Sequence, residues 1–144
     1  MPNSNINLSM TITQDFDTSV TSYETEAKFI KKNDLWYLFF DEVNYDDHET
    51  TQCRFEISLN SVRMRRNGPI ILEQMHELDK DTEGYIKTPF GHVTTRLVTT
   101  KYNFLEIDSN NYELNLRYHL YTGDELTGTY TLVINITTGG NNIS

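Results

Sequence analysis

The sequence has one cysteine, three prolines and seven glycines among its 144 residues. Cys53 has no second thiol to pair with, so an internal disulfide is excluded and the fold must hold by burial. The length suffices for that, because a domain of about 150 residues buries roughly 70% of the surface its unfolded chain exposes. So little proline and glycine excludes a long linker or a disordered tail. No run approaches the roughly 18 apolar residues of a membrane-spanning helix, so no membrane partner is expected. Met1-Pro2-Asn3-Ser4-Asn5 has no basic segment followed by an apolar one. A secretory signal is therefore not expected, and with the lone thiol this points to a cytoplasmic protein. The glycosylation-type triplets at Asn7, Asn135 and Asn142 then carry no meaning.

Positive charge is also scarce. Twelve Lys and Arg stand against 21 Asp and Glu, a formal net charge of −9. Such a surface repels phosphate backbones, and the one basic run, Arg63-Met64-Arg65-Arg66, is too short to reverse that. Nucleic acid is not an expected partner.

What the chain does have is aromatic residues, nine Tyr and seven Phe, and alternation. Apolar residues at every second position mark a strand with one buried face. Tyr112, Leu114, Leu116, Tyr118 and Leu120 alternate with Glu113, Asn115, Arg117 and His119. Gly128, Tyr130, Leu132, Ile134 and Ile136 repeat the pattern against Thr127, Thr129, Thr131 and Asn135, with Val133 the exception. Ile6 to Ile12, Tyr23 to Phe29 and Cys53 to Leu59 alternate in the same way. Turn signals separate these runs at Lys32-Asn33-Asp34, Asn67-Gly68-Pro69, Asp79 to Gly84, Ser109-Asn110-Asn111 and Thr122 to Glu125. No window shows a helical period. Eight to ten strands with short connections would leave exposed edges unless the sheet closes, so the expected fold is all-β: one antiparallel up-and-down barrel spanning 1–144. Leu35-Trp36-Tyr37-Leu38-Phe39-Phe40 is apolar on both faces, which requires a cover on the outside. Either another segment of the chain supplies it, or Trp36, Leu38 and Phe40 form a homodimer contact. The loop from Val43 to Thr51 is expected to be exposed and mobile.

A succession of features follows. Val62-Arg63-Met64-Arg65-Arg66-Asn67-Gly68 ends one strand; Tyr85-Ile86-Lys87-Thr88-Pro89-Phe90-Gly91 precedes a Thr-rich strand from Val93 to Lys101. Leu116 to Tyr121 then runs into a Thr122-Gly123-Asp124-Glu125 hairpin. In order and spacing this resembles the YwiB-like family of small, uncharacterised bacterial proteins, well over residues 50–138 and more loosely before. The resemblance implies a lipocalin-like (calycin) barrel and no catalytic residue. Arg65-Arg66-Asn67 stands where a shorter Arg-x-Gly is expected, which leaves open which arginine takes the family position.

The chemistry-bearing motifs are weak. Asp79-Lys80-Asp81-Thr82-Glu83-Gly84 begins like a calcium loop, but position twelve falls on Phe90 and the flanks are strands. Asp46, Asp47, His48 and Glu49 are metal-ligand types, yet neighbours on an extended chain point to opposite sides, so no metal site is expected. No serine sits in a nucleophile elbow, no glycine-rich phosphate loop is present, and Cys53 lies on an apolar face as packing. Neither a catalytic residue nor a cofactor is assigned. What remains is the barrel interior. Arg66 shares a face with Val62 and Met64, and Gln74 and His76 share the face of Ile70, Leu72 and Leu78. Such residues either satisfy one another or await a ligand. In the ligand case Arg66 takes an anionic or carbonyl end, Tyr118 and Tyr130 supply ring wall and hydroxyls, and His76 makes binding pH-sensitive. Two functions are therefore expected to compete. One is a non-catalytic module holding a small, partly apolar ligand, and the other is a filled barrel that acts as an interaction module through Trp36–Phe40.

Overall fold

The computed structural model describes residues 4–43 and 48–139, and every regular element among them is a strand. Ten strands follow one another: β1 Ser4–Gln14, β2 Asp17–Lys32, β3 Leu35–Val43, β4 Thr50–Ile57, β5 Ser61–Asn67, β6 Ile71–Glu77, β7 Asp81–Thr88, β8 Gly91–Asp108, β9 Asn111–Thr122 and β10 Glu125–Thr138. Each pairs antiparallel with its sequence neighbour, and β1 closes the sheet on β10 from Ser4↔Thr138 to Thr13↔Thr129. The expected closed meander is therefore the fold, with ten strands. Hairpin tips carry residues that tolerate a left-handed backbone: Asp15, Asn33, Asp79 and Gly123 have φ between 53° and 63°.

Alternation sets the interior. Leu114, Leu116, Tyr118 and Leu120 of β9 stand opposite Ile134, Leu132, Tyr130 and Gly128 of β10, and across β10 lie Ile6, Leu8, Met10 and Ile12 of β1. In β8 the register shifts between Thr99 and Lys101. Thr95, Leu97 and Thr99 are buried before the shift and Tyr102 and Phe104 after it, so the bulge swaps the parity of the inward face. Gly84 marks a close approach of strands. A Cβ there would lie 2.5 Å from the backbone oxygen of Glu73, so only glycine fits.

The placement of Leu35 to Phe40 corrects the interface expectation. Trp36, Leu38 and Phe40 face inward and are 8%, 0% and 5% exposed, so they cannot form a contact surface. Their parity follows from neighbours: Leu38 stands opposite Phe29 on one side and Phe55 on the other. The outward face of β3 carries Tyr37 and Phe39, whose rings lie 6.4 Å apart and nearly parallel. The Arg54 guanidinium sits 5.9 and 5.6 Å from their centres, so a neighbouring strand supplies part of the cover. Asn44 to Asp47, including the acidic pair Asp46 and Asp47, lie outside the described residues.

The two ends of the barrel differ. The end reached by the β2–β3, β4–β5 and β8–β9 turns is sealed by aromatic rings. Trp36 packs on Phe104 at 5.0 Å, Phe104 on Tyr112 at 5.9 Å and Tyr112 on Phe29 at 4.9 Å. The Tyr102 hydroxyl donates to the carbonyls of Ser58 and Ser61 in the β4–β5 turn, at 2.6 and 2.9 Å. Lys31 holds its ammonium 4.9 Å above the Trp36 ring. The opposite end has no such plug among the described residues.

Candidate functional site

At the unplugged end the interior leaves a cavity of about 310 Å³. Its wall is mainly apolar, with Met10 and Ile12 from β1, Leu72 from β6, Ile86 from β7, Leu120 from β9 and Leu132 from β10. Arg66, Gln74, Tyr118 and Tyr130 add polar groups to the same wall. Three of the four expected ligand contacts, Arg66, Tyr118 and Tyr130, thus come together around one space.

Two of these contacts are already engaged. Tyr118 and Tyr130 are cross-strand partners on β9 and β10, and their rings stack at 5.1 Å with a 3° angle between planes. Tyr118 is only 2% exposed, while Tyr130 is half-buried and nearer the opening. Behind Tyr118 lies His76, ring centre to ring centre 4.2 Å. His76 does not border the cavity. Its Nε2 meets Gln74 Oε1 at 2.9 Å and its Nδ1 meets Thr99 Oγ1 at 3.1 Å. The Gln74 side chain also bonds Tyr118. If the amide oxygen accepts from Nε2–H, the Thr99 hydroxyl donates to Nδ1 and the neutral ring is satisfied on both sides. Burial lowers the His76 pKa to about 3, so it stays uncharged across the physiological range. The expectation of a pH-sensitive ligand contact is corrected: this histidine is an internal, neutral member of a hydrogen-bonded core.

Arg66 is likewise partnered. Its guanidinium meets both carboxylate oxygens of Glu42 on β3, with Nη1 to Oε2 at 3.2 Å and the second contact shorter. The hydroxyl of Tyr23 on β2 donates to the same Oε2. Burial works against the arginine's charge, but the Glu42 bond together with the electrostatic influence of Cys53, Glu42 and Tyr23 more than offsets it, so its pKa rises. Burial and then the Glu42 bond push the Tyr23 pKa well above the usual phenol range. Among the three arginines of the basic run, Arg66 is the inward one; Arg63 and Arg65 are exposed, and Arg65 pairs with Glu73 at 3.5 Å. Glu42 is the residue of this cluster that alternation did not single out. The signal was present, because it sits two positions after inward Phe40 and so carries an acid onto an inward face.

Cys53 stands opposite Arg66 in the β4–β5 ladder. Burial pushes its thiol up to about 12, even with the arginine alongside, so the thiol is not an activated nucleophile. Among the described residues no group of three or more His, Cys, Asp or Glu is placed to hold a metal ion. The arrangement offers a small apolar chamber, a phenol at its edge and an ion pair already closed on itself.

The comparisons with known proteins agree with the fold. Residues 6–134 match the family described as Domain of unknown function (DUF1934), so the chain belongs to that family. The crystal structure of the ywiB protein from Bacillus subtilis is similar, with a TM-score of 0.82 at 17% identity, covering 96% of this chain and 92% of that one. At that identity the likeness is one of fold. No curated protein matches the chain.

Proposed function

We propose that this protein is a non-catalytic binding barrel of calycin type that holds one small, largely apolar and uncharged molecule at its open end. The observation that carries this reading is the contrast between an interior filled at one end and an apolar cavity of about 310 Å³ at the other. That size lies at the lower end of small-molecule sites, and barrels of about this strand number commonly keep room for one ligand. The charge preference follows from Arg66. Its carboxylate partner is already bound in two contacts, so an anionic ligand would have to displace Glu42. The polar groups left for recognition include the hydroxyls of Tyr130 and Thr21. We read the setting as cytoplasmic, in keeping with a single buried thiol.

Native mass spectrometry of freshly purified protein tests this reading. The expected result is a protein ion carrying one small molecule, absent when Ile86→Trp fills the cavity. A bare chain in both proteins, with no uptake of the neutral dye N-phenyl-1-naphthylamine, would overturn it. A second reading, contact between two copies, has one observation in its favour, the outward rings of Tyr37 and Phe39. It predicts a dimer in the same spectra that Phe39→Ser dissociates.

A further inference from the structure

Two ladders in the barrel are short. Between β6 and β7 only Ile71 to Glu73 pair with Tyr85 to Lys87. That gap is stitched, because Gly84 lies against the Glu73 carbonyl and the Thr82 hydroxyl donates to the Met75 carbonyl. Between β2 and β3 only Lys28 to Lys32 pair with Leu35 to Phe39. Beyond that point β2 stays paired with β1 as far as Asp17, and β3 with β4 as far as Val43. The stretch of β2 from Thr21 to Ala27 therefore has no ladder on its β3 side among the described residues.

A groove of about 540 Å³ follows this seam, with Thr21, Tyr23, Thr25, Glu42, Thr51 and Arg66 in its wall. Thr21 and Arg66 also line the interior cavity, so the groove and the cavity share a wall. What crosses the seam is side chain: Tyr23 of β2 donates to Glu42 of β3, and Glu42 in turn is held by Arg66 of β5. The Glu42 side chain is 26% exposed and that of Arg66 34%, so the bridge is only partly buried.

We propose that the β2–β3 seam is the entrance to the cavity and that Tyr23, Glu42 and Arg66 form the latch across it. This rests on the reading of the cavity as a binding site and adds the route by which it fills. Away from this seam, widening the barrel's mouth means breaking backbone ladders between neighbouring strands. Parting the seam breaks a few partly solvated side-chain bonds, which water replaces at modest cost.

Stopped-flow entry of N-phenyl-1-naphthylamine, together with amide hydrogen exchange, tests the proposal on the intact protein. Tyr23→Phe and Glu42→Gln are each expected to raise the dye entry rate roughly tenfold, the scale of one lost charge-assisted hydrogen bond. Amides of Thr21 to Ala27 and Phe40 to Val43 should exchange faster in both variants, while those of β8 and β9 stay unchanged. Gln14→Trp, at the mouth end of β1 and outside the cavity wall, should leave the rate alone. Unaltered rates in the latch variants with slow entry in Gln14→Trp would place the entrance at the mouth and overturn the seam. If the dye enters no form of the protein, the cavity reading fails. Seam exchange then decides the latch separately, and unchanged exchange in Tyr23→Phe, the milder variant, overturns it.

Discussion

The two ends of this barrel are built from the same alternating strands and finish differently. At the sealed end Phe29, Trp36, Phe104 and Tyr112 meet ring to ring, and Tyr102 ties the β4–β5 turn with its hydroxyl. At the open end aliphatic residues, Met10, Ile12, Leu72 and Ile86, share the wall with the stacked Tyr118 and Tyr130 around a cavity, and an ion pair with a phenol takes the place of a plug. On the proposed reading, stability and recognition are thereby separated along one axis. Interlocked aromatic rings leave little room to move, whereas a partly solvated polar bridge beside an apolar space can rearrange at low cost.

The comparison breaks most visibly under truncation. Leu38, 0% exposed in the filled half, should lose about 2–5 kcal/mol on change to Ala, as buried leucines do. Leu72, half-buried on the cavity wall, should lose about 1 kcal/mol or less, since it already borders empty space. Urea denaturation of both variants measures the difference, and equal losses would mean the open end is packed like the sealed one.

Acid probes the boundary between the halves, where His76 lies. Its pKa is lowered in the folded protein to about 3, from an ordinary value of 6.5. The stabilisation of the neutral ring is therefore complete above pH 6.5 and is lost as pH falls toward 3. The unfolded chain binds the extra proton in that window, and the slope is about 1.4 kcal/mol per pH unit. His76→Gln should flatten the slope when stability is followed from pH 6.5 to 4; an unchanged slope would show that the ring is not held neutral.

The smallest effect belongs to the latch. Because both partners are partly exposed, Glu42→Gln should cost only about 1 kcal/mol. The double variant Glu42→Gln with Arg66→Met should cost less than the two single changes summed, measured as a double-mutant cycle. Strict additivity would mean that the pair contributes no coupling.

Much of the fold was legible in the sequence because its strongest strands alternate strictly. Tyr112 to Leu120 and Gly128 to Ile136 gave their inward faces directly, and the barrel followed from counting strands between turns. Parity failed at Leu35 to Phe40, where both faces are apolar and only the flanking Phe29 and Phe55 decide which side is in. The β8 bulge likewise switches faces with no residue type announcing it. At the candidate site, alternation puts Arg66, Tyr118 and Tyr130 on faces that border the cavity, but their partners were not readable. Glu42 reaches Arg66 from 24 positions away, and His76 finds Thr99 from 23, contacts that register alone creates. The unladdered seam between β2 and β3 has no sequence signature either, since β2 alternates evenly past the point where pairing stops.

The central claim is that one end of the barrel is full and the other can take up a small apolar molecule. Methyl NMR during titration with N-phenyl-1-naphthylamine tests it most directly. The account predicts saturable shifts at Ile12, Ile86 and Leu120, with Leu38, Ile57 and Ile134 unmoved. Shifts confined to outward methyls such as Ile30, or none at all at saturating dye, would contradict it.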